Sequence, residues 1–327
     1  MSKPLVSIAM ATYNGASFLP MMLESIITQT YTNLEIVIVD DASTDNTKEI
    51  LTKFAQSDSR IKLSFSEKNQ GAIKTFEKAL GLAKGEFIAL ADQDDTFRKD
   101  KIELQLERMI ASPSADIVLS DLCLVGDSGE VIAESMWRHQ RLSVREGKPF
   151  EQLLYANFVT GCATMIRRRL LEGAFPFPEN CIMHDWWLSV LSTRSACGGI
   201  ALIPQSLTFY RQHSSNVIGA HSGGLLASIK RVPLLSERCA WYAKNKARLE
   251  AYLSDHEDMW SKEDLESMRR MARLFTCMSQ DDSNSFTCRI NSLYSRLSYA
   301  RYYGWVHAAG ILVFCFVPKL ADFVKRV

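Results

Sequence analysis

Three aspartates within four positions, Asp92, Asp94 and Asp95, follow directly after an apolar run that begins at Phe87. Like charges this close repel one another and raise each other's pKa, so the cluster is costly unless a positive group lies beside it. A divalent cation that bridges the phosphates of a substrate meets this need, because hard cations take oxygen ligands and often share them with a diphosphate. The segment 86–95 therefore indicates an enzyme of activated, phosphate-bearing substrates.

The elements that must position these acids are strands that alternate with helices over the first 125 residues. Strand patterns occur at 5–9, 35–39, 61–65, 86–90 and 116–125, and helical spacing of apolar residues occurs at 18–27, 50–54, 71–83 and 99–110. This alternation predicts an α/β fold with a mostly parallel sheet flanked by helices, and ligands bind beyond the carboxyl ends of such strands. Asn14, Asp40, Asp41 and Asp92 all fall at these predicted ends.

Beyond residue 126 the alternation of strands and helices loosens. The pattern predicts a loop that enters a buried strand over 155–166, a helix over 184–195 and a strand over 207–211. Beyond residue 224 the pattern is wholly helical through to about residue 303, which predicts an all-helical C-terminal extension.

The segment 305–317 is almost entirely apolar, but its 13 residues are fewer than the roughly 20 that cross a bilayer. Aromatic residues precede it, and Lys319, Lys325 and Arg326 follow it, which fits an interfacial membrane anchor. A helix packed on the rest of the domain is the alternative.

Composition excludes several classes of protein. The chain has 327 residues and a formal charge of +1 without a long run of like charge, so a nucleic-acid partner receives no support. None of the eight cysteines forms a Cys-x-x-Cys pair, which favours buried thiols in a reducing compartment over zinc or disulfides. The N-terminus does not resemble a signal peptide, so we expect a cytoplasmic protein.

Four segments occur in the order and spacing of family 2 glycosyltransferases of the GT-A fold. They are Ser-Ile-Ala-Met-Ala-Thr-Tyr-Asn-Gly at 7–15, Val-Asp-Asp-Ala-Ser-Thr-Asp at 39–45, Asn-Gln-Gly at 69–71 and Ala-Asp-Gln-Asp-Asp at 91–95. Further on, Met-His-Asp-Trp-Trp at 183–187 and Tyr-Arg-Gln-His at 210–213 resemble the branch with bacterial rhamnosyltransferases, which build O-antigen and other surface polysaccharides. The resemblance covers about residues 4–220.

On this resemblance we expect a GT-A domain at 1–220, with a nucleotide-binding half at 1–125 and an acceptor half at 126–220. The region 221–327 is the helical extension, for which dimerisation and membrane association both stay open. Processive members of the family carry a Gln-x-x-Arg-Trp motif and several transmembrane helices. Neither occurs here, so we expect transfer of one or a few sugars.

The resemblance implies a set of residues that bind the nucleotide sugar: Ala11, Tyr13, Asp41, Lys74, Asp92, Gln93 and Arg211. Tyr13 would stack on a pyrimidine, Asp41 would accept a hydrogen bond from its ring N–H, and Asp92 would contact the ribose. Three alternatives stay open. Asp40 and Asp41 fit helix-capping carboxylates, Lys74 fits a solvated helix lysine, and Arg211 fits a partner of an acid within the fold.

The resemblance also implies a metal site and a general base. Asp94 and His213 would bind Mg²⁺ or Mn²⁺, with Asp95 in support, and the metal would neutralise charge as the nucleoside diphosphate leaves. Asp185 would take a proton from the acceptor hydroxyl, with His184 beside it orienting the site. Trp186 and Trp187 would stack on acceptor sugars. The alternatives are a structural role for His213, a helix cap for Asp185 and core packing for the two tryptophans.

The expected activity is inverting, metal-dependent transfer of a sugar to a lipid-linked glycan at the inner face of the cell membrane. L-rhamnose from dTDP-rhamnose is the first expected donor, and a UDP-hexose such as UDP-galactose or UDP-glucose is the alternative. A non-catalytic binder of nucleotide sugars lacks the acids that this chain retains. A nucleotidyltransferase is expected to carry a glycine-rich basic loop, but Ala-Thr-Tyr-Asn-Gly-Ala occupies residues 11–16.

Overall fold

A computed structural model of the chain describes residues 3–213 and 235–279. The strands within these residues are β1 (Val6–Thr12), β2 (Leu34–Asp40), β3 (Ile61–Phe65), β4 (Phe87–Asp92), β5 (Thr96–Phe97), β6 (Ile117–Val125), β7 (Val131–Ala133), β8 (Thr164–Arg167) and β9 (Ile200–Arg211). They form one sheet in the order β3-β2-β1-β4-β8-β6-β9-β5, with β7 paired to β6.

Nine helices lie in the same described part of the chain. They are α1 (Leu19–Ile27), α2 (Thr47–Ser57), α3 (Ala72–Leu82), α4 (Lys101–Ala111), α5 (Met136–His139), α6 (Phe150–Tyr155), α7 (His184–Thr193), α8 (Leu235–Asp255) and α9 (Lys262–Ser279). A 3₁₀ turn at Gly161–Ala163 leads into β8. Pro20 lies in the first turn of α1, where its missing N–H costs no hydrogen bond.

The first half of the sheet is parallel and buried on both faces. Alternate side chains of β1 and β2 point to opposite faces, so Ile8 and Ile36 join one apolar core cluster while Ala9 and Val37 join another. Helix α1 covers the first face and α3 covers the second. Burial on both faces explains why these strands are continuous apolar runs without alternation.

The register of the parallel strands places their carboxyl ends side by side. Ala11 of β1 pairs with Val39 of β2 on one side and with Asp92 of β4 on the other. Thr12 pairs with Asp40. The residues that follow these strands therefore share one edge of the sheet.

Antiparallel pairs extend the sheet beyond β4. Strand β8 runs antiparallel to both β4 and β6, while β6 and β9 are parallel to each other. The short β5 pairs antiparallel with β9, which brings the chain after Asp95 next to Phe209. The mixed α/β architecture confirms the predicted GT-A fold class, although half of the strand pairings are antiparallel.

Helices α8 and α9 pack on the sheet domain through aromatic residues. The Trp187 ring has no exposed surface and lies 4.6 Å from Tyr252 and 6.1 Å from Trp260, measured between ring centroids. Leu249 and Phe275 join the same core cluster. The prediction of a helical C-terminal extension is therefore confirmed over α8 and α9.

Other predictions for the C-terminal region lie outside the described residues. They include the boundary at residue 220 and the apolar segment 305–317, so both stay predictions. Among residues 3–213 and 235–279, no helix combines the length and the apolar character needed to cross a membrane.

The core position of Trp187 leads to a stability prediction. Trp187→Ala removes a fully buried ring between α7 and α8, so we expect the free energy of unfolding in urea to fall by about 3–5 kcal/mol. Ile110→Ala is the control, because Ile110 is 57% exposed and its truncation should cost within about 0.5 kcal/mol. Equal losses for both variants would contradict the packing described for α8.

Candidate active site

The turn after β2 is organised by two buried aspartates. Asp40 accepts hydrogen bonds from the Thr12 hydroxyl at 3.1 Å, from the Ser43 backbone N–H at 3.0 Å and from the Ser43 hydroxyl at 2.5 Å. These bonds hold Ala42 at a φ of 62°, which is uncommon for a residue other than glycine. Asp40 therefore stabilises this turn and is not a cap of helix α2, which begins at Thr47.

Asp41 lies at the predicted edge and is 2% exposed. Its carboxylate accepts from the backbone N–H of Gln70 at 2.9 Å and of Gly71 at 2.8 Å. These bonds tie the loop before α3 to the end of β2. A carboxylate has about four acceptor sites, so these bonds leave Asp41 with capacity for a further donor.

The Gln93 side chain joins the carboxyl ends of β1 and β4 through two hydrogen bonds to the Tyr13 backbone. The Gln93 side chain accepts from the Tyr13 backbone N–H at 2.9 Å and donates to the Tyr13 carbonyl at 3.0 Å. A side chain at Gly15 would collide with Gln93, because an added Cβ would lie 2.2 Å from its Oε1. Gln93 thus shapes the loop that presents the 45% exposed Tyr13, and its expected contact with the nucleotide sugar stays a prediction.

Two further predicted ligand residues have partners of their own. Lys74 pairs with Glu77 one turn along α3, at 2.7 Å, and about half of its side chain is exposed. The Arg211 guanidinium donates to the carbonyls of Asp94 at 3.1 Å and Asp127 at 2.8 Å, and its backbone N–H donates to Asp95 Oδ1 at 3.0 Å. Arg211 holds the acid-bearing loop in place, and the expected phosphate contact stays a prediction beside the alternative of a partner within the fold.

The three clustered acids differ in burial. Asp95 is 1% exposed, and its Oδ2 has no hydrogen-bond partner within the described residues. Burial, reinforced by the charges of Asp94 and Asp185, raises the pKa of Asp92 to about 7. Burial together with the charges of Asp92 and Asp94 raises the pKa of Asp95 well above its usual value. The repulsion expected from the sequence is therefore present at this edge.

Asp94 and His213 come together although 119 positions separate them. His213 Nε2 lies 2.9 Å from Asp94 Oδ2, and the side chains are 11% and 19% exposed. The imidazole stacks on Phe18 at 4.9 Å between ring centroids, which fixes its plane. A carboxylate oxygen and an imidazole nitrogen suit a divalent cation such as Mn²⁺, and their partial exposure leaves a route for it.

A second group of potential ligands lies deeper. Single ligand atoms of Asp92, Asp95 and Cys162 lie within 4.8 Å of one another. Burial raises the pKa of the Cys162 thiol, so this sulfur is protonated, and hard cations prefer oxygen ligands. The ammonium of Lys101 already interacts with both of these aspartates. The deeper group is therefore a poorer fit to Mg²⁺ or Mn²⁺ than Asp94 with His213.

Asp185 lies in the first turn of α7 and is held from two directions. Its Oδ2 accepts from the Gly161 backbone N–H at 2.9 Å, and its Oδ1 accepts from Asn157 Nδ2 at 3.2 Å. Burial raises the pKa of Asp185 to about 6, and these hydrogen bonds oppose the rise. Gly161 precedes Cys162, whose sulfur lies within 4.8 Å of a carboxylate oxygen of Asp92, so Asp185 lies close to the acid cluster.

His184 is a neutral neighbour of Asp185. Its ring stacks on Phe76 with centroids 3.8 Å apart, and burial lowers its pKa to about 3. Neither ring nitrogen has a hydrogen-bond partner within the described residues. An added Cβ at Gly161 would lie 3.0 Å from His184 Nε2, so only glycine fits this approach without displacing the ring.

The two tryptophans after Asp185 belong to the core. The Trp186 indole N–H donates to the Leu153 carbonyl at 2.6 Å, and that of Trp187 donates to the Ala174 carbonyl at 3.1 Å. Their exposed fractions are 6% and zero. This corrects the expected stacking on acceptor sugars, because neither ring presents a face to solvent; core packing was the alternative.

Several residues that organise the site carry no motif in the sequence. Asn157 and Gly161 precede β8 in an irregular segment, and Lys101 is the first residue of an amphipathic helix. The Arg248 guanidinium, from α8, lies 3.9 Å from the Trp186 ring centroid. The isolated Gly161 before a buried strand was a weak signal of close backbone approach.

Comparison with known proteins identifies the family. Residues 7–175 match the family described as Glycosyl transferase family 2. The chain belongs to this family and is a glycosyltransferase.

Individual relatives differ in what their names say they do. TuaG of Bacillus subtilis (strain 168), a glycosyltransferase named for teichuronic acid biosynthesis, is 31% identical over 58% of this chain and 73% of its own length. WfgD of Escherichia coli, named UDP-Glc:alpha-D-GlcNAc-diphosphoundecaprenol beta-1,3-glucosyltransferase, is 32% identical over 57% of this chain and 70% of its own length. The dTDP-rhamnosyl transferase RfbG of Shigella flexneri is 29% identical over 75% of this chain and 85% of its own length.

Solved structures agree with the fold. TarS residues 1–349 of S. aureus in complex with UDP-GlcNAc has a TM-score of 0.58 at 18% identity, over 98% of this chain and 83% of that one. The mannosyltransferase PcManGT of Pyrobaculum calidifontis, in complex with GDP-Man and Mn²⁺, has a TM-score of 0.55 at 17% identity. The match covers 99% of this chain and 84% of that one.

The pairing of Asp94 with His213 leads to a prediction about metal binding. Asp94→Asn removes a charged oxygen ligand, so we expect Mn²⁺ affinity in the presence of UDP, followed by electron paramagnetic resonance of free Mn²⁺, to fall by about tenfold or more. His213→Ala should lower it less, since it removes a neutral ligand. Asp100→Asn is the matched control, because Asp100 pairs with Arg98 on the surface. Unchanged affinity in Asp94→Asn would exclude this pair as the metal site.

Proposed function

We propose that the protein is an inverting, metal-dependent glycosyltransferase that moves a sugar from a nucleoside-diphosphate donor to a hydroxyl of a lipid-linked glycan. One observation carries the proposal. The buried Asp185 carboxylate accepts from the Gly161 N–H, and the sulfur of the next residue, Cys162, lies within 4.8 Å of a carboxylate oxygen of Asp92 in the acid cluster at the sheet edge. A base and a leaving-group site this close are what a single displacement requires.

In this proposal the nucleotide lies along the carboxyl ends of β1, β2 and β4. The exposed Tyr13 ring stacks on the base, Asp41 accepts from a ring N–H, and Asp92 contacts the ribose. Asp94 and His213 hold Mg²⁺ or Mn²⁺. The metal supplies positive charge to the departing diphosphate. Support comes from the 2.9 Å approach of Asp94 and His213 and from their exposure to solvent.

Asp185 acts on the acceptor. Its carboxylate takes the proton of the acceptor hydroxyl as that oxygen bonds to the anomeric carbon and the bond from this carbon to the phosphate oxygen breaks. The bonding electrons leave with the diphosphate, so charge and atoms balance without a covalent intermediate. Gly161 and Asn157 orient the carboxylate, and its pKa of about 6 leaves it about nine-tenths ionised at pH 7.

Two donor classes are supported by different relatives. The name of RfbG specifies a dTDP-linked rhamnosyl donor, and its alignment spans three quarters of this chain. The name of WfgD specifies UDP-Glc. Both nucleotides carry a pyrimidine with the same ring N–H, so Tyr13 and Asp41 accept either one. We propose dTDP-rhamnose and UDP-hexose as the two candidate donors.

The proposed acceptor is lipid-linked, so its lipid would lie in a membrane. The name of WfgD includes a diphosphoundecaprenol acceptor. In this chain the apolar segment 305–317 is followed by Lys319, Lys325 and Arg326, a composition that suits an anionic lipid surface. We propose that the protein works on the inner surface of the cell membrane and binds its acceptor there.

The donor is tested by incubating the purified protein with a panel of dTDP- and UDP-sugars and measuring released nucleoside diphosphate. We expect release from one of the two classes, and loss of release in EDTA that Mn²⁺ restores. Full activity in EDTA would contradict the metal site.

The role of Asp185 leads to a second prediction. Asp185→Asn cannot accept the proton, so we expect transfer to fall by about 10²-fold or more while UDP binding, measured by calorimetry, changes little. Asp255→Asn, at the end of α8, is the control for loss of a carboxylate elsewhere. Near-normal turnover in Asp185→Asn would remove this residue from the mechanism.

The hydrogen bond from Asn157 leads to a pH prediction. A base is active when deprotonated, so the transfer rate should fall about tenfold per pH unit below about pH 6. Asn157→Ala removes a bond that favours the charged carboxylate, so the pKa of Asp185 should rise and the falling limb should move to higher pH. Asn33→Ala is the control, since Asn33 donates to the distant Lys3 carbonyl. A shift to lower pH would contradict this assignment.

A further inference from the structure

Lys101 is a fully buried lysine to which the proposed mechanism gives no part. It is the first residue of α4, and its ammonium donates to the Cys162 carbonyl. The ammonium also lies 3.7 Å from the centroid of the Phe97 ring. Burying an ammonium away from water is expensive unless negative charge compensates it.

The compensating charge comes from the donor-site acids. The Lys101 ammonium donates to the carbonyl of Cys162, and the sulfur of Cys162 lies within 4.8 Å of carboxylate oxygens of Asp92 and Asp95. Both acids favour the charged form of Lys101. Burial lowers the pKa of Lys101 to about 8, so the ammonium is still charged at pH 7.

The same lysine reaches the turn that holds the base. Cys162, whose carbonyl accepts from Lys101, belongs to the 3₁₀ turn at Gly161–Ala163. The Gly161 backbone N–H donates to Asp185, and Gln105 donates to the Ala163 carbonyl at 2.8 Å, one helical turn after Lys101. Helix α4 therefore holds this turn through two side chains, of which only Lys101 is charged.

We propose that Lys101 is a positioning residue whose fixed positive charge balances Asp92 and Asp95 and adapts the site to a metal–nucleotide complex in preference to a free divalent cation. This inference rests on the proposed function, because it assumes that the nucleotide and its metal bind beside these acids.

The proposed charge has consequences of opposite sign for two ligands. A free Mn²⁺ ion is repelled by the ammonium, whereas the complex of Mn²⁺ with a nucleoside diphosphate carries net negative charge and is attracted by it. Removing the charge should strengthen the first binding reaction and weaken the second. A purely structural role would weaken both.

The test compares Lys101→Met, which has a similar length and no charge, with Gln105→Met, which removes the neighbouring uncharged contact to the same turn. Mn²⁺ alone is titrated by electron paramagnetic resonance at pH 7, and UDP or dTDP is titrated by calorimetry at saturating Mn²⁺. For Lys101→Met we expect Mn²⁺ alone to bind about three- to tenfold more tightly and the nucleotide to bind weaker by a similar factor. Gln105→Met should leave both constants within about twofold.

Two further variants keep the inference falsifiable if Lys101→Met does not fold. Lys101→Arg retains the charge and should behave as the wild type, whereas Asp95→Asn removes a charge of the other sign and should weaken binding of Mn²⁺ alone. If Lys101→Met binds both Mn²⁺ alone and the nucleotide more weakly, or binds both as the wild type does, the proposed role of Lys101 is wrong. If the wild type binds neither UDP nor dTDP with Mn²⁺, the proposed donor site itself is wrong, and the inference falls with it.

Discussion

The crowding of carboxylates at one edge of the sheet is the constraint on which the rest of this structure depends. The register of β1 and β4 delivers Asp92 to that edge, and α7 brings Asp185 close to it. Burial of Asp92, reinforced by the charges of Asp94 and Asp185, disfavours its ionisation and raises its pKa. The arrangement persists because positive and hydrogen-bonding groups surround it: Lys101 near Asp92 and the buried Asp95, Arg211 on the loop carbonyls and Gly161 on Asp185.

Much of this arrangement could be predicted from the sequence, for identifiable physical reasons. Strands of a parallel sheet buried on both faces are continuous apolar runs, so β2, predicted at 35–39, overlaps the observed Leu34–Asp40. Acids at the ends of such runs must meet at one edge, which is why Asp41 and Asp92 could be placed without a structure. The proximity of His213 to Asp94 was implied only by resemblance to the family, since no local pattern connects residues 119 positions apart.

The remaining features depend on tertiary contacts that no local pattern records. Trp186 and Trp187 follow Asp185 and could face a sugar or the core. Helix α8, beyond the part that matches the family, packs against both rings and decides in favour of the core. Gln93 lies inside the acid motif, yet its amide is taken up by the Tyr13 backbone. The antiparallel placement of β8 between β4 and β6 could not be predicted either, because a buried strand has the same composition in both directions.

The position of a divalent cation in a crystal grown with Mn²⁺ and UDP or dTDP tests the central claim most directly. The proposed arrangement binds the metal at Asp94 and His213, whereas Lys101 balances Asp92 and the buried Asp95. It predicts an anomalous scattering peak bonded to Asp94, with the diphosphate on the same ion and the Lys101 ammonium still on the Cys162 carbonyl. A peak among Asp92, Asp95 and Cys162, with Lys101 displaced, would contradict it.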